Sequence, residues 1–124
     1  MPGPVDEGRA QEDRAADWLS EAGYTIVTRR FRSRRGEIDL VALEGDLLVF
    51  VEVKSSATHG YEPELAVGEA KRKALVRAGQ AYLEYIEEPD RPVRYDLIAI
   101  DRLGFRHYKD VLNEDSDMPS EPEI

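Results

Sequence analysis

The chain has 124 residues, no cysteine and a formal net charge of −9. That length fits one compact domain and not two, the missing thiols exclude disulfides, thiol catalysis and thiolate zinc sites, and no apolar run approaches the roughly 20 residues of a membrane span. No signal-peptide pattern opens the chain, so a soluble, cytoplasmic protein without a membrane partner is expected.

The negative charge argues against indiscriminate attraction to nucleic acid, but it is unevenly placed. Five acids and no base fall in residues 114–124, which leaves −4 for the rest. With Pro119 and Pro122 among them, these residues are expected to form a disordered acidic tail behind a single domain over residues 1–113.

In chain order, Asp6 is placed to cap an opening helix in which Ala15, Trp18, Leu19 and Ala22 recur at helical spacing, with Gly23 as its stop. Trp18 reads as a core residue. Tyr24 to Phe31, with Thr25-Ile26-Val27-Thr28, suggests the first strand. Arg29, Arg30, Arg32, Arg34 and Arg35 then concentrate five cations around Phe31. Such arginines keep a loop soluble or pair with nearby acids; so dense a strip, leading into candidate metal ligands, favours contact with phosphates.

Next come Gly36-Glu37-Ile38-Asp39-Leu40 and Val49-Phe50-Val51-Glu52-Val53-Lys54, separated by a turn centred on Gly45-Asp46. Period-two alternation puts Glu37 with Asp39 on one face, and Glu52 with Lys54 on one face of the following strand. A hairpin would bring Asp39 and Glu52 within reach of one cation with Lys54 beside them. Charged residues on an exposed hairpin face are ordinary, and Lys54 can serve as a salt-bridge partner of Glu52. The nearly unbroken apolar run Leu48 to Val51, however, is the pattern of a strand covered on both faces.

Ser55 to Pro63 reads as a loop. Ala70, Ala74, Ala78, Ala81, Tyr82 and Tyr85 describe an amphipathic helix from about Glu69 to Ile86, broken by Glu88-Pro89-Asp90. Gly79 within it costs about 1 kcal/mol of helix propensity and marks a place for close packing. Val93 to Ile100 and Gly104 to Tyr108 read as strands. The order α-β-β-β-α-β, with a short last strand, allows a mixed α/β sheet whose second helix joins parallel strands. His59 and His107 lack ligand spacing and are expected at the surface.

Together these residues resemble the YraN-like family of uncharacterised bacterial proteins, which is placed in the PD-(D/E)xK nuclease superfamily and is similar to archaeal Holliday junction resolvases. The resemblance runs from about Gly8 to Asp110. It rests on Glu12, the run Arg34 to Leu40, Phe50 to Lys54, Lys71, Ala81-Tyr82-Leu83 and Arg94-Tyr95-Asp96. Gln11 and Arg30 depart from it, standing where Gly and Asn are usual.

The resemblance implies a restriction-endonuclease-like mixed sheet flanked by helices and a metal-dependent nuclease acting on DNA, including branched DNA, for which a two-fold homodimer is suited. Asp39 and Glu52 would anchor magnesium or manganese, with the Val53 carbonyl as a third oxygen ligand. Lys54 would stabilise developing charge, Glu12 would bind a second ion or orient water, Glu37 would support the site, and Lys71 would contact phosphate. Two alternatives stand beside this one: a nucleic-acid-binding protein that kept the fold without turnover, and an acidic interaction module whose charged hairpin is structural.

Overall fold

The middle strands of the sheet form where the chain is most continuously apolar. Val41, Ala42, Val49, Phe50 and Val51 are fully buried, and each large side chain so enclosed contributes about 1.5–3 kcal/mol relative to exposure. The computed structural model describes residues 4–55 and 68–111, with side chains from residue 9 onward. Its elements are α1 (Pro4–Glu21), β1 (Thr25–Ser33), β2 (Gly36–Glu44), β3 (Leu47–Ser55), α2 (Glu69–Tyr85), β4 (Val93–Asp101) and β5 (Gly104–Tyr108). Helix α1 starts ahead of Asp6, which therefore lies inside its first turn and not at its cap.

The five strands lie side by side in sequence order. β1, β2 and β3 are antiparallel neighbours, β3 and β4 run parallel, and β5 returns antiparallel to β4. The parallel pair is the one spanned by α2, as the sequence order suggests. The result is an α/β fold with a mixed sheet between two helices, extended by β5 beyond the α-β-β-β-α-β order.

Each helix covers one face. Ala15, Ala16 and Leu19 of α1 pack on Leu40, Ala42, Val49, Val51, Ile98 and Ile100. Leu75, Ala78, Tyr82 and Leu83 of α2 pack on Ile38, Val41, Leu48 and Phe50. Trp18 is partly buried against the first of these cores and stacks on Phe105, with ring centroids 5.9 Å apart. No described helix is long and apolar enough to cross a membrane.

Two departures from regular pairing shape the sheet. β1 carries an irregularity between Ile26 and Thr28, and three residues later Arg30 has φ 57. That left-handed conformation is uncommon outside glycine and is adopted more readily by Asn than by Arg, which gives a physical reason for the usual Asn of the resembling family. The flanking pairs Arg29↔Leu40 and Phe31↔Ile38 set Arg30 opposite Asp39. On β2, Ile38 belongs to the core under α2 whereas Leu40 belongs to the core under α1. Strict alternation therefore fails across Asp39, and the period-two argument that tied Glu37 to Asp39 loses its basis there.

The expected acidic tail, most of the expected loop after Ser55, and His59 lie outside the described residues. His107 corrects the surface expectation: it is buried, and its Nε2 lies 2.8 Å from Asp96 Oδ2. Asp96 is itself fully buried and accepts hydrogen bonds from Arg94 Nε and Nη2 and from the Asp110 N–H. Arg94 continues the network to Glu44 and the Tyr24 hydroxyl. A hydrogen bond to Asp96 across the β4–β5 strand pair, invisible to residue spacing, makes this histidine an interior group.

Candidate active site

The β2–β3 ladder runs from Glu44↔Leu47 to Leu40↔Val51. Beyond that point β2 stays paired with β1 through Ile38 and Glu37, while β3 stays paired with β4 as far as Ser55↔Ile100. The two strands thus part at Asp39 and Glu52. Asp39 Oδ2 fills the fork by accepting the Val53 N–H at 2.8 Å. Val53 meets the site here through its amide, and its ladder partner on the other side is Ile98.

Both helices bring a charged residue to this fork by the same device. Glu12 lies one turn before the buried Ala15, Ala16 and Leu19 of α1, and Lys71 one turn before Leu75, Ala78 and Tyr82 of α2. Helical spacing prolongs each apolar stripe by one residue, which then reaches the edge of the sheet. Lys71 Nζ lies 3.1 Å and Lys54 Nζ 3.4 Å from the same Glu52 oxygen, Oε1. Arg30 Nε lies 3.3 Å from Glu12 Oε1, and Arg30 Nη1 is buried without a hydrogen-bond partner among the described residues.

The electrostatics follow from burial. Glu52 is only 4 % exposed. Loss of solvation first, and then the neighbouring Asp39 charge, raise its pKa to about 6 against the opposing pull of Lys71 and Lys54. Burial likewise raises Asp39 to about 6, with the Val53 amide opposing and Glu12 adding to the rise. Lys71 is held above the ordinary lysine value: burial works against its charge, and Glu52 more than offsets that. A buried and a part-buried acid side by side, each reluctant to ionise, form a site that a cation would relieve.

Does the donor set suit a metal ion? Among the described residues, no group of three or more histidine or acidic side chains could hold one. A hard divalent ion such as magnesium does not require such a cage, because it keeps several waters and commonly takes one or two carboxylates together with substrate phosphate oxygens. Asp39 and Glu52 fit that mode and would hold it.

The remaining sequence-derived residues are placed as follows. Glu37 sits at the rim: it is exposed, its Oε1 lies 3.5 Å from Arg32 Nε, and its field reaches Lys71. Arg29 pairs with Asp13, Arg30 with Glu12, Arg32 with Glu37 and Arg35 with Glu84. Arg34 is exposed and has no ion pair with a described residue. The strip is therefore a row of mostly satisfied cations, as the solubility reading requires, on a surface still open to solvent. Sequence reasoning passed over Lys73 and Arg77, exposed cations on α2 beyond Lys71. Their four-residue spacing along one helical face was the available signal.

Fold and site together define an α/β domain that carries an acid–lysine cluster, centred on buried Glu52, where two sheet strands part. The chain belongs to a family described as uncharacterised protein family UPF0102, whose model matches residues 11–100 and so spans the whole cluster. This agrees with the resemblance to the YraN-like family. The chain is similar to a UPF0102 protein of Prosthecochloris aestuarii, at 45% identity over 82% of this chain and 81% of the relative. It is also similar to one of Persephonella marina, at 36% over 88% and 95%, and to one of Streptomyces griseus, at 44% over 75% and 80%.

Proposed function

We propose that this protein is a metal-dependent nuclease that binds nucleic acid, in the first place DNA, and hydrolyses phosphodiester bonds at the β2–β3 fork. The observation that carries this reading is the meeting of part-buried Asp39 with buried Glu52, both raised toward neutrality, with Lys54 and Lys71 on the same Glu52 oxygen. A merely structural hairpin gains nothing from burying two acids together, since repulsion and desolvation both cost stability. Magnesium or manganese, with the Val53 carbonyl as an added oxygen ligand, would supply charge neutralisation and a water of lowered pKa.

The chain's own groups divide the remaining work. Asp39 is held in orientation by the Val53 amide, which engages its Oδ2. Lys54 and Lys71 keep part of their surface open, so each can donate to a non-bridging phosphate oxygen. Lys54, rooted in the strand beside Glu52, holds its charge where negative charge gathers as the phosphorus is attacked. Glu12, paired with Arg30, would orient water at Asp39. The resemblance adds branched DNA as substrate and a two-fold dimer as the assembly.

A second reading, binding of nucleic acid without turnover, is favoured by one observation: Lys54 and Lys71 both reach Glu52 Oε1, where their charge can take the part of a cation. A cleavage screen separates the two. Single-stranded, duplex, flap and four-way-junction DNA are incubated with magnesium or manganese, alongside RNA of the same sequences. Cleavage is expected, and Lys54→Ala should slow turnover much more than it weakens substrate binding. Binding with no cleavage of any substrate would favour the second reading, and no affinity for metal or nucleic acid would leave only an interaction module.

A further inference from the structure

An open groove of about 790 Å³ lies between β1 and the C-terminal half of α2, away from the acid cluster. Phe31 and Tyr82 line it, their rings meeting edge to face at 5.1 Å. Tyr85 also lines it, 6.0 Å from Phe31, and is 74 % exposed. Arg32, Arg34 and Arg35 contribute the polar side of the same groove.

We propose that this groove seats an unpaired base of a nucleic-acid strand against Tyr85, with Arg34 and Arg35 on the adjoining phosphates, and that the strand continues along α2 to the acid cluster. The choice of ligand rests on the nuclease reading of that cluster. A tyrosine face left open beside two other rings is a stacking platform, and every base has a face to offer it. Arg34 has no acid to satisfy it among the described residues, and the Arg32–Glu37 and Arg35–Glu84 pairs are exposed. Exposed pairs are held weakly, so phosphate can replace the glutamates. Aromatic rings interleaved with cations suit a polyanion of flat rings better than they suit an apolar peptide.

The groove and the cluster are also joined by α2 itself. Lys71 at the cluster and Tyr85 at the groove lie within about 40° of one helical face, and Lys73 and Arg77 add exposed positive charge on the solvent side of the same helix. Fourteen residues of helix separate Lys71 from Tyr85, or about 21 Å at 1.5 Å per residue. That distance corresponds to about six nucleotides of stacked strand at 3.4 Å each, and fewer if the strand is extended. An intact duplex keeps its base faces covered. The groove therefore selects a substrate with an unpaired stretch a few nucleotides from the bond that is cut.

The test is a fluorescence-anisotropy titration of the full chain in chelator, using a labelled oligothymidylate, a blunt duplex of the same length, and that duplex with a single-stranded overhang. Tyr85→Ala should weaken oligothymidylate and overhang binding about tenfold, Tyr85→Phe should preserve it, and blunt-duplex affinity should stay within about twofold. Tyr85 is exposed, so its truncation leaves the core packing intact, and the Phe variant controls for loss of folding. Unchanged oligothymidylate affinity in Tyr85→Ala, an equal loss on blunt duplex, or displacement of oligothymidylate by polyglutamate as readily as by unlabelled strand would overturn the groove. Tyr85-dependent binding without cleavage of any substrate would overturn the nuclease reading and leave the groove standing.

Discussion

Single ionisable residues in this protein pull stability in opposite directions with pH. Asp39 and Glu52 have folded pKa values of about 6, above the ordinary carboxylate range. The folded state therefore holds protons that the unfolded chain has released, and stability falls as pH rises from about 4 to about 6. Asp96 behaves oppositely. Burial works against its charge, but hydrogen bonds from His107 and Arg94 hold its pKa below the usual value. Its contribution is present above the unfolded carboxylate pKa and is lost as pH falls through the folded one. In chelator, the wild-type thermal midpoint should thus decline between pH 4 and neutrality, and Asp39→Asn, which keeps an acceptor for the Val53 amide, should remove much of that decline. The gain at neutral pH is expected to be on the order of 1–2 kcal/mol. Parallel pH profiles for the two proteins would show that the acids do not burden each other.

At the scale of elements, two glycines decide how α2 seats on the sheet. Gly36 opens β2 at φ +145, and an added Cβ would lie 3.1 Å from the Ala74 carbonyl oxygen. Gly79 faces Tyr95, where a Cβ would come within 2.3 Å of the hydroxyl and 2.9 Å of the ring. Helix propensity alone favours alanine at position 79 by about 1 kcal/mol, whereas overpacking of this kind costs about 1–3 kcal/mol. Gly79→Ala should therefore lower the urea midpoint, and adding Tyr95→Leu should recover most of the loss. A more stable single variant would mean that the helix can lift away freely. Sequence indicates close packing at Gly79 because a glycine in a helix demands a reason, but it cannot name Tyr95, which arrives from β4.

Taken as a whole, the molecule shows where local pattern ends and tertiary geometry takes over. The apolar runs and the crossover helix were legible, and so was the pairing of Glu52 with Lys54, because alternation along one strand suffices to place them. The fork was not. Whether β2 leaves β3 at Asp39 depends on the irregular backbone at Arg30 and on which helix covers Ile38 and Leu40. For the same reason Glu37 could not be told from an inner acid, nor His107 from a surface residue. The partners of Arg29 and Arg35 lie 16 and 49 residues away, beyond any spacing rule.

The central claim is that Asp39 and Glu52 form one cation site at this fork. It is tested most directly by titrating manganese into wild-type protein and into Asp39→Asn plus Glu52→Gln, with the bound ion followed by electron paramagnetic resonance. Because neutral amides are poor substitutes for two carboxylates around a hard cation, the double variant should lose the binding that wild type shows. Manganese bound by the double variant as tightly as by wild type would contradict the site.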